Sequence, residues 1–183
     1  MATECRASVP DALEALAEVF AYPRADYVAR LATARAAVEC EVPGAGASLA
    51  ALGAHCAATD LAGWEELHVR SFDLDPVCAL EVGWQLYGEQ YARGTFLASM
   101  RAYLRTVGVA EDGELPDHLV PTLRGAARGE RALSSELVRR FVLPAVERMR
   151  TRFADEAHPY RGALDAVAAV LATRVVPAGG GEG

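Results

Sequence analysis

Apolar positions recur at helical spacing along nearly the whole chain. Leu13, Leu16, Ala17 and Phe20 fall at i, i+3, i+4 and i+7, behind Ser8 and Pro10-Asp11 as start signals and ahead of Pro23 as a stop. A second helix is predicted from about Ala25 to Glu41, with Tyr27, Leu31, Ala34 and Val38 on one face and a break at Pro43-Gly44. Ser48 to Ala58 reads as an Ala-rich helix. Asp60 then caps another, carrying Leu61, Trp64, Leu67 and His68. Asp73-Leu74-Asp75-Pro76 ends it, because a residue before proline is pushed out of the helical region. Val77 to Tyr87 fits neither period, with Cys78, Leu80, Gly83 and Trp84 mixed among branched and aromatic residues.

A long helix follows from about Glu89 to Val107, with Phe96, Met100, Tyr103, Leu104 and Val107 on one stripe and Gly108 as its stop. After Glu111-Asp112-Gly113, Pro116 suits the first turn of a short helix. Asp117 would add favourable negative charge there, and Gly125 and Gly129 weaken its far end. Arg131 to Arg152 is helical with a kink or a division into two shorter helices expected at Pro144, which lacks an N–H and whose ring clashes with the preceding turn. Leu164, Val167, Ala168 and Leu171 mark the last helix, and residues 177–183 read as a disordered tail. Strand signals are sparse. The expectation is an all-α, single-domain bundle of about eight helices over residues 1–176.

Composition narrows the function classes. A chain of 183 residues that is 52% apolar can bury one continuous core, and a net charge of -7 argues against a surface that tracks nucleic-acid phosphates. All the basic residues are arginine. Cys5, Cys40, Cys56 and Cys78 form no C-x-x-C pair, so they read as reduced thiols rather than a disulfide framework or zinc knuckle. No apolar run reaches the roughly 18 residues of a membrane span, and neither an export signal nor a twin-arginine start is visible. A cytoplasmic protein without direct membrane insertion is the expectation.

Candidate chemistry is thin. Adjacent His55 and Cys56 point about 100° apart on a helix, a poor geometry for one ion. Glu65, Glu66 and His68 lack the second Glu-x-x-His of a di-iron bundle and read as a solvated face. Asp117-His118 resembles an acid-base pair in which the carboxylate raises the imidazole's pKa, but no nucleophile accompanies it. The alternative for Asp117 is a first-turn charge on free N–H groups, and for His118 a partly buried ring bonded to a loop. The glycines at Gly44-Ala45-Gly46 lack the ending of a phosphate loop.

Three blocks carry a family resemblance. The first runs from Val69 to Gly94 and contains Phe72-Asp73 and Gly88-Glu89 followed by Arg93-Gly94; the second is Glu114-Leu115-Pro116-Asp117-His118-Leu119; the third, weaker, is His158-Pro159-Tyr160. In this order they resemble the NarJ-type chaperones of respiratory nitrate reductase, within the DmsD/TorD-like group of molybdoenzyme maturation proteins. After His118-Leu119 this chain departs from the group's acidic, aromatic-rich continuation, which leaves the client open among molybdopterin oxidoreductases.

The resemblance implies binding without turnover and no cofactor of the chain's own. The partner is the N-terminal segment of an apo catalytic subunit, held while molybdenum cofactor and iron-sulfur clusters are inserted, by a monomer or homodimer. The client-binding residues it implies are Phe72, Asp73, Trp84, Tyr87, Glu89, Arg93, Glu114, Pro116, Asp117 and His118, with Asp75 as further charge. Phe72, Trp84 and Tyr87 would serve as apolar anchors and the acids would face a cationic leader. Two rival readings stand beside it: a helical ligand-sensing or adaptor protein, and a small enzyme using Asp117-His118.

Overall fold

The computed structural model describes residues 9–74, 78–153 and 155–175. Ser8, Asp75, Pro76, Val77, Cys5 and the 177–183 segment lie outside them. Among the described residues the chain is all-helical, with one isolated β-bridge. The helices are α1 (Ala12–Phe20), α2 (Tyr27–Glu41), a 3-10 turn (Ala45–Leu49), α3 (Ala50–Ala58), α4 (Leu61–Phe72), α5 (Val82–Tyr87) and α6 (Tyr91–Thr106). Then come α7 (Leu119–Arg128), α8 (Arg131–Leu137), a π turn (Val138–Val142), α9 (Leu143–Arg152) and α10 (Pro159–Arg174). No described helix is long and apolar enough to cross a membrane.

Two helices form the centre because they are apolar on nearly every side. In α1, Leu13, Leu16, Val19 and Phe20 are all buried, and in α10 so are Tyr160, Leu164, Val167, Val170 and Leu171. Helix α1 packs on α2, α7 and α10, while α10 also meets α3, α9 and the 3-10 turn. The last contact is backbone to backbone. A Cβ on Gly162 would stand 1.9 Å from the Ser48 carbonyl oxygen, so only glycine permits that approach. Tyrosines in this core keep their hydroxyls satisfied: Tyr27 donates to the Val19 carbonyl at 2.8 Å and its oxygen lies 3.0 Å from that of Tyr160.

Local signals set the helix ends. Asp11 caps α1 by accepting from the Leu13 N–H at 2.9 Å, and Asp60 caps α4 through the Gly63 N–H at 3.1 Å. Gly108, at φ 66°, ends the turn after α6. Of the two forms expected around Pro144, the structure takes the two shorter helices, α8 and α9, joined by a π turn. The Leu143 N–H reaches back to the Val138 carbonyl, making a π turn, and Pro144 falls in the first turn of α9, where a missing N–H is tolerated. The Ser48 to Ala58 segment likewise divides, its first residues belonging to the 3-10 turn.

Candidate functional site

Residues from the two resembling blocks meet around α5. The strand-like residues Glu81 and His118 form an antiparallel bridge, in which the Val82 N–H donates to the Asp117 carbonyl at 2.8 Å and the Leu119 N–H to the Leu80 carbonyl at 2.9 Å. This fixes the start of α7 against the start of α5. The expected helix start at Pro116 is therefore corrected: α7 begins at Leu119, and its cap is His118, whose Nδ1 accepts from the Val120 N–H at 3.2 Å. Pro116 itself is buried ahead of the helix.

Asp117 is 0% exposed and caps a neighbouring helix rather than its own. Its Oδ2 accepts from the Gly83 N–H in the first turn of α5 at 3.0 Å, where Glu81, the residue at the cap position, offers no side-chain bond. A Cβ at position 83 would lie 2.6 Å from that Oδ2 and 2.9 Å from Phe96 Cδ1, so the carboxylate reaches the backbone only because the residue is glycine. Arg93 Nε stands 3.6 Å from the same oxygen, and its guanidinium lies 5.4 Å from the centre of the Trp84 ring. Asp117 Oδ1 makes no hydrogen bond among the described residues. Burial raises the Asp117 pKa above the ordinary carboxylate value, against the opposing pull of Arg93 and the Gly83 N–H.

The expectation that a carboxylate raises the His118 pKa is also corrected. Burial pushes it down to about 4, even though Glu81 and Asp73 act in the other direction. Glu114 Oε2 is 3.9 Å from His118 Nε2. His68, read from sequence as part of a solvated face, is 6% exposed and bonds the Phe20 carbonyl through Nε2 at 3.2 Å. Its pKa is lowered by burial as well. Asp73 and Glu114 are exposed and, with half-buried Glu81, make an acidic rim over these two imidazoles.

Phe72 is core rather than a surface anchor. It packs on Tyr160 with ring centres 4.6 Å apart and on Phe20 at 6.0 Å, leaving 5% of it exposed. Asp117, expected to face a cationic leader, is wholly inside. Trp84 is half-buried under Arg93, while Tyr87 is half-buried and turned toward α6. Glu89 is exposed beyond Gly88, whose φ of 56° turns the chain from α5 into α6.

On the far side of Gly83 the floor of α5 opens into an apolar groove of about 520 Å³ between α6 and α8. Phe96, which touches the Gly83 position and is 7% exposed, is its central ring, tilted against Tyr87 with ring centres 5.8 Å apart and against Phe141 at 5.1 Å. Met100, Tyr103, Leu133 and Leu137 complete the apolar walls. Leu133 is 62% exposed at its mouth. Phe96, Met100 and Tyr103 belong to the stripe expected on this helix, whereas Leu133, Leu137 and Phe141 were not among the expected site residues. Their i, i+4, i+8 spacing was the available signal. Only Tyr87 among the expected anchors lines this groove.

Asp117 and His118 are each engaged with backbone N–H groups, and among the described residues no three His, Cys, Asp or Glu side chains converge as a metal site requires. No family model matches this chain, and no curated protein matches it.

Proposed function

We propose that this protein is a maturation chaperone that binds the N-terminal segment of the catalytic subunit of a molybdopterin oxidoreductase, with respiratory nitrate reductase the first client to test. The observation that carries the reading is the link between motif and groove: Asp117 holds Gly83, and Phe96, lying against Gly83, forms the groove's central ring. The residues that resemble the family thus lie beneath the floor of the apolar groove.

The mechanism is differential binding. An apolar leader face docks in the groove and keeps the incompletely assembled subunit bound until its cofactors are inserted. Preference for the immature state raises its population by mass action, and closure of the finished enzyme releases the chaperone. Asp73, Glu81 and Glu114 contribute to the chain's net charge of -7, which favours encounter with leaders carrying basic residues. Asp117 and His118 contribute by fixing α5 and α7, so no proton transfer is assigned to them.

Titration calorimetry with the leader peptide of the molybdoenzyme encoded in the same cell tests the reading. The expected affinity is micromolar to submicromolar, as for a segment that orders on binding, or about -8 to -9 kcal/mol. Equal affinity for a scrambled peptide would reject it.

A further inference from the structure

We infer that the apolar groove has a second occupant, a long-chain carboxylate: a single-chain lipid anion whose tail lies along α6 and whose headgroup meets Arg139 and Arg140 at the Phe141 end. In that position it excludes the leader segment. This regulatory role rests on the client reading, whereas the lipid site itself does not.

The two walls of the groove run antiparallel, so its ends differ. At one end Tyr103 Oη donates to the Gly125 carbonyl at 2.9 Å and touches the Gly129 position, one turn ahead of Leu133. At the other, the Tyr87 and Phe141 rings close on Phe96, one turn beyond Ala92. From Ala92 to Tyr103 the α6 wall is about 17 Å long at 1.5 Å per residue. An extended alkyl chain advances roughly 1.3 Å per carbon, so about twelve to fourteen carbons span that wall. The volume of about 520 Å³ lies within the ordinary range of small-ligand sites. Between the ends Phe96, Met100 and Leu137 offer apolar contact, and a tail also covers Leu133, 62% exposed at the mouth.

The charges beside this lining sum to a positive one. Glu136 is the sole carboxylate among the lining residues, and it faces two guanidiniums: Arg139 Nη2 is 2.7 Å from Oε2 and Arg140 Nη1 is 3.3 Å from Oε1. Each arginine spends one of five N–H donors on Glu136, which leaves the others for a second anion. Both side chains are about half exposed, at 47% and 58%. Exposed ion pairs of this kind are weak, so the guanidiniums can turn toward a headgroup. Arg140 already lies at the groove edge, 5.3 Å from the centre of the Phe141 ring. The first turn of α6 is at the same end, and Gln90, at its cap position, makes no side-chain bond to it. Its N–H groups therefore add partial positive charge.

A carboxylate headgroup thus gains contacts that other headgroups do not. A cationic amphiphile meets two guanidiniums against one carboxylate, and a neutral one gains only the burial of its tail. The net charge of -7 opposes any anion at long range, but salt screens that repulsion beyond about 8 Å while the arginines act in contact.

Calorimetry on the full chain tests the site with three amphiphiles of equal tail length, each below its micelle concentration: dodecanoate, glycerol monododecanoate and dodecyltrimethylammonium. Dodecanoate should bind most tightly. Arg139→Gln/Arg140→Gln should weaken it about three- to tenfold and leave the glycerol ester unchanged, whereas Leu133→Ser should weaken all three. Thermal midpoints equal to that of the unmodified chain establish that these surface variants are folded. Equal affinity for dodecanoate and dodecyltrimethylammonium, or a double variant that changes dodecanoate and the ester alike, overturns the carboxylate site. Dodecanoate should also raise the apparent Kd of the leader peptide in competition. Binding of dodecanoate without displacement of a bound leader overturns the regulatory role, and a leader that does not bind at all overturns the client reading while the lipid site stands.

Discussion

The two sides of Gly83 are built on opposite principles. Toward Asp117 the structure is closed: a carboxylate at 0% exposure, a helix cap shared between distant segments, and an arginine 3.6 Å away. Toward Phe96 lies the apolar groove, with buried Phe96 and Met100 at its floor, rings meeting at a tilt, and Leu133 exposed at its mouth. Buried polar groups fix one geometry because each unmade bond is costly, whereas an apolar surface accepts whatever fits its outline. The contrast places precision in the motif and adaptability in the groove.

The sharpest way to break this division is Asp117→Ala. It removes the acceptor for the Gly83 N–H and leaves Arg93 without its carboxylate, at a cost of about 3 to 5 kcal/mol. In a chain of this size the thermal midpoint should fall by about 10 °C, read by calorimetry or circular dichroism. An unchanged midpoint would show that the corner does not hold the fold.

Acidification tests the closed side next. The folded chain keeps His118 at about 4, while the unfolded chain titrates near the ordinary value of about 6.5. Between those values the unfolded state binds more protons, so this contribution is complete above about pH 6.5 and is lost as pH falls through about 4. Asp117 has the opposite sign: its raised pKa makes protonation favour the fold, so its contribution is greatest at low pH and diminishes as pH rises. Urea denaturation at several pH values should show a loss of up to about 3 kcal/mol from His118. His118→Asn, which retains a cap acceptor, should flatten that slope.

Gly83→Ala strikes both sides together. The added methyl must push away both the Asp117 carboxylate and the Phe96 ring, costing about 1 to 3 kcal/mol. Midpoint and peptide affinity should fall in parallel, and an effect on stability alone would sever the link between motif and groove. The smallest effect belongs to the open side. Leu133→Ser should leave stability within about 0.5 kcal/mol while weakening the leader peptide by about 1 kcal/mol in calorimetry.

Legibility in the sequence follows the same division between local and distant causes. Helix α1 was readable because Asp11, the Leu13 to Phe20 stripe and Pro23 act within a few residues of one another. The all-helical class and the caps at Asp60 and Gly108 follow for the same reason. The role of Asp117 was not readable, since its partner Gly83 lies 34 residues away and a short polar side chain before a helix ordinarily caps that helix. The burial of Phe72 and His68 was hidden likewise, because their contacts with Phe20 and Tyr160 come from distant helices. The groove went unread because a stripe of apolar residues has the same spacing whether a neighbouring helix covers it or not.

The π turn at Val138–Val142 bears on how such a surface arises at all. It places one extra residue within what would otherwise be a continuous α-helix, and each residue of an α-helix advances the side chains by about 100°. Val138 and Val142 within the turn and Ala145, Val146 and Met149 beyond it face the core, while Leu133 and Leu137 before it and Phe141 within it line the groove. Deleting a single residue there would restore an ordinary helix and oblige one of those two sets to rotate away.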